Sequence, residues 1–232
     1  MKNNNIVIGI EGLVGAGKTS ICRNLLDKIP NSVLLHGGNV YRAIVYALMT
    51  SQSDLSKLKQ NLVNIDIKEI MDKLKIKIKL ENKETVIYIH DKLIKEDDLQ
   101  SEQSSLGVSV ISSVVDNTKL YEFGRKLVDS FKTNYNIIFS SRDIIKMYPD
   151  TDYHFFITAS IDERVKRKFK QYGGKVNEEE LREHILKRDE LQEKAGYYKI
   201  YPITQKIDVT DCKTVEESTN KVLQFIKVPE LV

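Results

Sequence analysis

The sequence predicts an α/β protein in which a five-stranded parallel sheet lies between two layers of helices. Two observations indicate this fold class: a glycine-rich loop directly after an apolar strand, and an alternation of apolar strands with helices along most of the chain. A third observation, a long insertion between the second and third core strands, predicts a small additional α/β subdomain. With 232 residues, 41% of them hydrophobic, the chain can bury the core of one such domain.

The glycine-rich loop spans residues 12–19 and matches G-x-x-x-x-G-K-[ST] at every fixed position. The apolar run 6–10 precedes it and apolar pairs at helical spacing follow it, which is the strand–loop–helix context that the motif requires. In such a P-loop, backbone N–H groups surround phosphate oxygens, the lysine reaches the β- and γ-phosphates, and the hydroxyl binds Mg²⁺. The sequence therefore predicts a P-loop NTPase fold that binds ATP and Mg²⁺, with Thr19 as the metal ligand. The residues expected to bind the nucleotide are Gly12, Gly15, Ala16, Gly17, Lys18, Thr19 and Ser20.

The core strands and the last helix are located by hydrophobic runs and a cap. Apolar runs predict the five strands at residues 6–10, 33–35, 136–140, 153–159 and 206–210. Thr214 and Glu217 form a capping box that predicts the start of the last helix.

The insertion carries a hairpin of its own. The alternating run 76–80 and the returning run 85–90 flank a polar turn, which predicts two antiparallel strands. We therefore expect a core of residues 1–59 and 134–232 and an inserted α/β subdomain of residues 60–133.

Residues 162–195 combine many basic side chains with a flexible centre at Gly173-Gly174. Such a stretch is typical of the mobile helical lid of a small-molecule kinase, and equally of two ordinary charged surface helices. Two absences favour the kinase. No apolar strand ends in an aspartate at the spacing of a Walker-B motif, together with the other motifs of helicases or ABC transporters. The guanine-reading N-K-x-D motif is also missing.

Composition narrows the partners and the compartment. A net charge of only +3 gives no electrostatic reason to expect a nucleic-acid partner. No apolar run approaches the ~18 residues that a membrane span requires, and the first residues leave no room for a signal peptide. Cys22 and Cys212 lie far apart, which favours a reducing compartment. We expect a monomeric cytoplasmic protein whose partner is a small-molecule nucleotide.

Several segments in colinear order resemble bacterial cytidylate kinases. They are residues 8–20, Gly38-x-x-Tyr41-Arg42, Arg142-Asp143, residues 159–167, Val176-Asn177 and Arg188-Asp189-Glu190. The inserted hairpin, followed by Ser109, is similar to the enlarged nucleotide-binding subdomain of that family. Because the resemblance covers essentially the whole chain, it implies a nucleoside monophosphate kinase of pyrimidine metabolism. Such an enzyme transfers the γ-phosphoryl group of ATP to CMP or dCMP.

The resemblance also implies roles for individual side chains. Positively charged side chains would neutralise the phosphoryl group during its transfer. No general base is needed because the acceptor phosphate already carries nearly two negative charges. The residues placed around that group are Lys18, Arg142, Arg188 and Arg167. The residues expected to bind the acceptor are Gly37, Gly38, Arg42, Ser109, Arg142 and Asp143.

Within that set, Arg42 and Arg142 would hold the acceptor phosphate through bidentate guanidinium contacts. Asp143 and Ser109 would bind the cytosine ring, and a carboxylate suits it because the exocyclic amine of cytosine is a donor. Arg142 and Asp143 could instead form only a local ion pair.

The chain departs from the family pattern at sugar- and base-reading positions. His36-Gly37-Gly38 stands where the family has Asp-Thr/Ser-Gly, and Thr118 replaces a base-contacting arginine. Gln192 and Ala195 stand where the family has an aspartate and an arginine that hold the ribose. Three functions stay open: a CMP/dCMP kinase, a kinase of the same fold with a nucleoside or modified nucleotide as acceptor, and a non-catalytic nucleotide-binding paralogue.

Overall fold

The computed structural model describes residues 5–50, 67–99 and 117–227. These residues form two compact units. The first unit comprises the described residues before Leu35 and after Phe131, and the second comprises those from Leu35 to Phe131.

The helices and strands alternate as the sequence predicts. In chain order they are β1 (Val7–Gly12), α1 (Lys18–Lys28), β2 (Ser32–His36), α2 (Gly37–Thr50), α3 (Ile67–Lys73), β3 (Ile76–Glu81), β4 (Glu84–Ile89), β5 (Lys92–Ile94), α4 (Glu96–Leu99), α5 (Asn117–Lys132), β6 (Asn136–Ser140), α6 (Ile144–Met147), β7 (Tyr153–Thr158), α7 (Ile161–Gln171), α8 (Glu178–Lys194), β8 (Thr204–Asp208) and α9 (Val215–Leu223).

The sheet of the first unit has the strand order β2-β6-β1-β7-β8. β1 pairs in parallel with β6 and with β7, and β7 pairs in parallel with β8. Every residue of β1 is buried, as expected of a parallel strand with helices on both faces. The predicted five-stranded parallel core is confirmed. Parallel strands end at the same edge, so the loops after β1 and β6 lie near each other.

The main core of the first unit forms between this sheet and α1. Ile8 and Ile10 of β1 pack with Ile21 and Leu25 of α1 and with Phe155 of β7. At the last helix the predicted capping box is confirmed. The Thr214 hydroxyl accepts a hydrogen bond from Glu217 N at 3.1 Å, and the Glu217 carboxylate accepts one from Lys213 N at 2.8 Å.

The second unit is built on the hairpin that the sequence predicts. β3 and β4 pair antiparallel, and the turn residues Asn82 and Lys83 both have positive φ, which matches the right-handed twist of a two-residue hairpin. A third strand, β5, pairs antiparallel with β4 and was not predicted because it has only three residues.

This unit includes α2, which the sequence analysis assigned to the core of residues 1–59. The reason is packing: Val40 and Ile44 of α2 belong to the same apolar cluster as Ile70, Ile87 and Leu99. Residues 51–66 and 100–116 lie outside the described residues, so the limits 60–133 of the insertion stay a prediction.

The predicted lid stretch forms two helices of the first unit, α7 and α8. Ser160 caps α7 by accepting from Glu163 N, and Asn177 caps α8 by accepting from Glu179 N and Glu180 N. Val165 of α7 packs with Leu181 and Ile185 of α8 and with Val14 of the P-loop. Among the described helices, none has both the length and the apolar character that a bilayer crossing demands.

Candidate active site

The P-loop connects β1 to α1 through backbone conformations that favour glycine. Gly12 has φ 143°, and an added Cβ there would lie 2.1 Å from the carbonyl oxygen of Ile157 in β7. Gly17, with φ 93°, is the N-cap of α1, so the first helical N–H groups follow it directly. The loop therefore presents backbone donors and the positive end of a helix, which together suit phosphate oxygens. The side chain of Thr19 is half-buried, and that of Ser20 is exposed.

Lys18 lies folded back under this loop. Its Nζ donates to the carbonyl oxygens of Gly12 at 2.8 Å and Leu13 at 2.7 Å. Burial lowers the pKa of Lys18 to about 7, and the positive charges of Arg142 and Arg188 add to the effect against the opposing charge of Asp189. Three of the predicted catalytic cations thus share one electrostatic environment in the first unit.

Arg142 and Asp143 follow the carboxyl end of β6. The Arg142 guanidinium lies 5.6 Å from the centre of the Tyr197 ring, and burial and nearby Arg188 lower the pKa of Arg142. Asp143 is buried, has the left-handed backbone conformation at φ 54°, and is the N-cap of α6. The Tyr201 hydroxyl donates to Asp143 Oδ1 at 3.2 Å.

The backbone beside Asp143 is held by a buried acid–base pair. Glu11 Oε1, from β1, accepts a hydrogen bond from Ile144 N at 2.5 Å and lies 3.1 Å from Nε2 of His154. Glu11 and His154 are both almost fully buried, so this pair fixes the backbone of the Arg142–Asp143 loop from beneath.

The residues 197–201, called here the tyrosine segment, supply three contacts that the sequence analysis missed. Tyr197 contacts Arg142, Tyr198 donates to Asp189 Oδ1 at 2.7 Å, and Tyr201 donates to Asp143. Three tyrosines within five residues directly after a helix were the available signal. The spacing alone does not indicate which charged groups they contact.

Asp189 and Arg164 attach the two lid helices to the P-loop. Asp189 Oδ1 accepts from Val14 N at 3.1 Å, and Arg164 Nη1 donates to Val14 O at 3.1 Å. Arg164 Nη1 also donates to Asp189 Oδ2, and only 6% and 15% of these two side chains are exposed. Because both side chains are shielded from water, this charged pair fixes the lid helices on the P-loop.

Arg167 donates with all three guanidinium nitrogens to groups of the protein. Nη1 donates to Ala16 O at 3.1 Å, Nη2 to Val209 O at 2.8 Å, and Nε to Glu163 Oε1 at 3.0 Å. These contacts favour a structural role for Arg167 over contact with the transferring group. Its assignment to that group stays a prediction.

The predicted acceptor residues of the second unit lie at the start of α2. Gly37 and Gly38 begin the helix, and Arg42 Nη1 donates to Asn39 Oδ1 at 3.2 Å. The Arg42 guanidinium lies directly beside Gly38, where an added Cβ would be in ordinary van der Waals contact with Nη1 at 3.4 Å.

Just before that helix, His36 Nε2 lies 3.0 Å from Glu84 Oε2 of β4, and His36 N donates to Thr85 Oγ1 at 2.9 Å. This strand end carries no aspartate or hydroxyl group of its own, and the hairpin supplies both a carboxylate and a hydroxyl there.

The remaining departures are placed as follows. Thr118 is exposed on α5, Gln192 is buried within α8, and Ala195 is the C-cap of α8. Ser109 lies outside the described residues.

The comparison with protein families decides what this arrangement belongs to. The cytidylate kinase family model matches residues 8–228, a range that includes the P-loop, the Arg142–Asp143 loop and both lid helices. The chain belongs to the cytidylate kinase family. The resemblance stated from the sequence is thereby confirmed, and with it the assignment to the nucleoside monophosphate kinases.

Individual cytidylate kinases match along nearly their whole length. The cytidylate kinase of Clostridioides difficile (strain 630) is 29% identical over 230 residues, covering 97% of this chain and 99% of that one. That of Aquifex aeolicus (strain VF5) is 29% identical over 224 residues, covering 94% and 95%. That of Halalkalibacterium halodurans is 26% identical over 235 residues, covering 98% and 99%.

Proposed function

We propose that the protein transfers the γ-phosphoryl group of ATP to CMP or dCMP, giving ADP and CDP or dCDP. One observation carries the proposal for this member of the family: Arg142 and Arg188 lie close enough to Lys18 to lower its pKa, and Arg188 also lowers the pKa of Arg142. Such repulsion between cations is relieved when a polyanion binds among them. The site is therefore suited to two phosphorylated substrates.

The P-loop and Lys18 would bind the phosphates of ATP. Lys18 would exchange its two backbone acceptors, Gly12 O and Leu13 O, for phosphate oxygens. The Thr19 hydroxyl would hold a bound Mg²⁺, whose charge would help to neutralise the triphosphate. The position of Thr19 in the first turn after Gly17 fits this role.

Each unit carries residues proposed to bind the acceptor. In the first unit Arg142 would hold its phosphate and Asp143 would accept from the cytosine amine. In the second unit the proposed acceptor residues are Gly37, Gly38 and Arg42 at the start of α2, together with Ser109. An oxygen of the acceptor phosphate then attacks the γ-phosphorus while the bond to the β–γ bridging oxygen breaks and ADP leaves.

Arg188 would complete the charge around the transferring group when the lid excludes water, with Arg167 as a further candidate. In functional terms we retain residues 60–133 as the nucleotide-binding insertion and 162–195 as the lid. A monomer in the cytoplasm without a nucleic-acid partner is part of the same proposal.

The decisive experiment measures ADP formation from Mg-ATP with CMP, dCMP, UMP, dUMP, AMP, GMP, dTMP and the matching nucleosides. We expect turnover largely confined to CMP and dCMP. Preparations of Lys18→Ala run in parallel identify any contaminating kinase. Absence of turnover with every nucleotide, in protein that still binds ATP, would contradict the proposal.

A second candidate function, phosphorylation of a nucleoside hydroxyl, is favoured by the His36–Glu84 pair. A hydroxyl acceptor needs a base, and an imidazole 3.0 Å from a carboxylate is a suitable one. Turnover with nucleosides that is lost in His36→Gln and Glu84→Gln would identify this activity. Absence of turnover with every nucleoside in the wild-type protein would exclude it.

A further inference from the structure

The Arg142–Asp143 loop, called here the acceptor loop, is enclosed by a ring of hydrogen bonds that the phosphoryl transfer itself does not require. Starting at Asp143, the ring passes through the Tyr201 hydroxyl, the backbone of Tyr201, Thr204, His154 and Glu11. It returns to the loop at Ile144 N, the residue next to Asp143. Asp143 is thus held at its side chain by one end of the ring and at its backbone by the other.

We propose that Tyr201 is a positioning residue that sets the preference of the acceptor site for cytosine over uracil by fixing the Asp143 carboxylate. The proposal rests on the proposed function, in which Asp143 contacts the acceptor base. Tyr201 itself need not contact the substrate.

The first step is that Tyr201 is itself fixed. Tyr201 N donates to Thr204 Oγ1 at 3.0 Å, and Thr204 N donates to Tyr201 O at 2.9 Å. Thr204 Oγ1 lies 2.8 Å from His154 Nδ1, and the His154 and Tyr201 rings meet edge to face. A tyrosine anchored at its backbone and its ring can hold its hydroxyl at one place.

The second step is that the hydroxyl acts only as a donor toward Asp143. Burial and the neighbouring carboxylate of Asp143 raise the pKa of Tyr201 to about 12, so it keeps its proton at neutral pH. A phenol that donates its single proton to Oδ1 restricts the rotation of the Asp143 carboxylate.

The third step is the chemistry of the two bases. An ionised carboxylate can only accept, the exocyclic amine of cytosine donates, and the corresponding oxygen of uracil only accepts. A fixed Asp143 carboxylate therefore attracts CMP and repels UMP, whereas a mobile one discriminates less because it can turn away or admit water.

The test is the ratio of kcat/KM for CMP to that for UMP in Tyr201→Phe. This change keeps the ring against His154 and removes the hydroxyl. We expect the ratio to fall about tenfold, the size of one hydrogen bond to a charged group, through a higher KM for CMP with the KM for ATP unchanged. Tyr153→Phe is the matched control, since among the described residues the Tyr153 hydroxyl bonds the backbone of Lys227 alone, at 3.2 and 3.1 Å. Its ratio should equal that of the wild type.

A double-mutant comparison shows whether Tyr201 acts through Asp143. Asp143→Asn should lower the CMP-to-UMP ratio of kcat/KM further than Tyr201→Phe does. In the double variant, Tyr201→Phe should cause no additional change in that ratio. An equal fall in both backgrounds would overturn the inference. So would an unchanged ratio in Tyr201→Phe, including a variant that loses activity on both acceptors alike.

The inference and the proposed function can fail separately. A wild-type protein that prefers CMP while Tyr201→Phe keeps the same ratio overturns the role of Tyr201 alone. A wild-type protein that uses CMP and UMP equally overturns the base-reading assignment of Asp143 and, with it, the role of Tyr201.

Discussion

The P-loop and the acceptor loop at Arg142–Asp143 both follow strands of the same parallel sheet, but they are held in different ways. The conformation of the P-loop comes from its own backbone, with three glycines of positive φ and a helix that begins at Lys18, and side chains of the lid helices only attach to it, at Val14 and Ala16. The acceptor loop is shaped by side chains from other strands and from the tyrosine segment, which reach it from Glu11, His154 and Tyr201.

The difference corresponds to what each loop would bind. Triphosphate oxygens are alike in every substrate of this kind, so a backbone cradle serves them and leaves little to vary. A nucleobase must be distinguished from similar bases, which requires side chains in fixed positions. The specificity of the acceptor loop can therefore change through substitution of the side chains that support it, such as Tyr201, without any change at Asp143.

We expect the largest effect from removing Lys18, the one side-chain cation within the P-loop. Lys18→Ala should lower kcat by about 10³-fold or more, because the transferring phosphoryl group loses a charge that the backbone cannot replace. Steady-state kinetics with CMP measure this, and thermal melting should show an intact fold. Lys28→Ala, which removes only an exposed ion pair with Glu216, is the control. A kcat within tenfold of wild type in Lys18→Ala would contradict the assignment.

The next effect concerns the attachment of the lid helices to the P-loop. Asp189→Asn leaves the buried guanidinium of Arg164 without its counter-charge and should destabilise the protein by about 3 kcal/mol. Urea or thermal unfolding measures the loss. Asp162→Asn removes the partner of Arg182 from a pair with 79% and 33% of its side chains exposed and should cost less than about 1 kcal/mol. Equal losses of unfolding free energy in the two variants would show that the buried Arg164–Asp189 pair beside Val14 stabilises the protein no more than an exposed ion pair does.

A smaller effect distinguishes the acceptor loop from the P-loop. Arg142→Ala should raise the KM for CMP about 10- to 100-fold, because charged hydrogen bonds to the acceptor phosphate are lost. The KM for ATP should change far less, since the P-loop keeps its own donors. Wild-type kinetics with every acceptor would remove Arg142 from the site.

The smallest effect is a pH dependence that belongs to Lys18. Its pKa of about 7 in the free protein should rise toward the ordinary value when phosphates lie beside it. At a pH between these two pKa values, ATP binding should therefore be accompanied by uptake of a proton. Affinity should therefore fall from about pH 7 to about pH 9, by at most about tenfold per pH unit. Calorimetry in two buffers of different ionisation enthalpy measures the uptake. Lys18→Met should abolish it, and an uptake that persists in that variant would assign the proton to another group.

The fold was largely predictable because its signals are local. The P-loop motif is contiguous, the core strands are continuous apolar runs, and the hairpin of β3 and β4 alternates with period two. Two features were not predictable. β5 is too short to show a period, and α2 belongs to the second unit because Val40 and Ile44 pack there, which helical spacing cannot reveal.

The sequence by itself located the two loops to which we assign the chemistry: the P-loop with Lys18 at the end of one strand and Arg142–Asp143 at the end of another. Tertiary structure alone decided what holds these groups. Tyr201 reaches Asp143 across 58 positions, Glu11 reaches Ile144 across 133, and Asp189 reaches Val14 across 175. Sequence spacing encodes the neighbours of a residue within one strand or helix, whereas these partners become neighbours only when the sheet and the lid helices assemble.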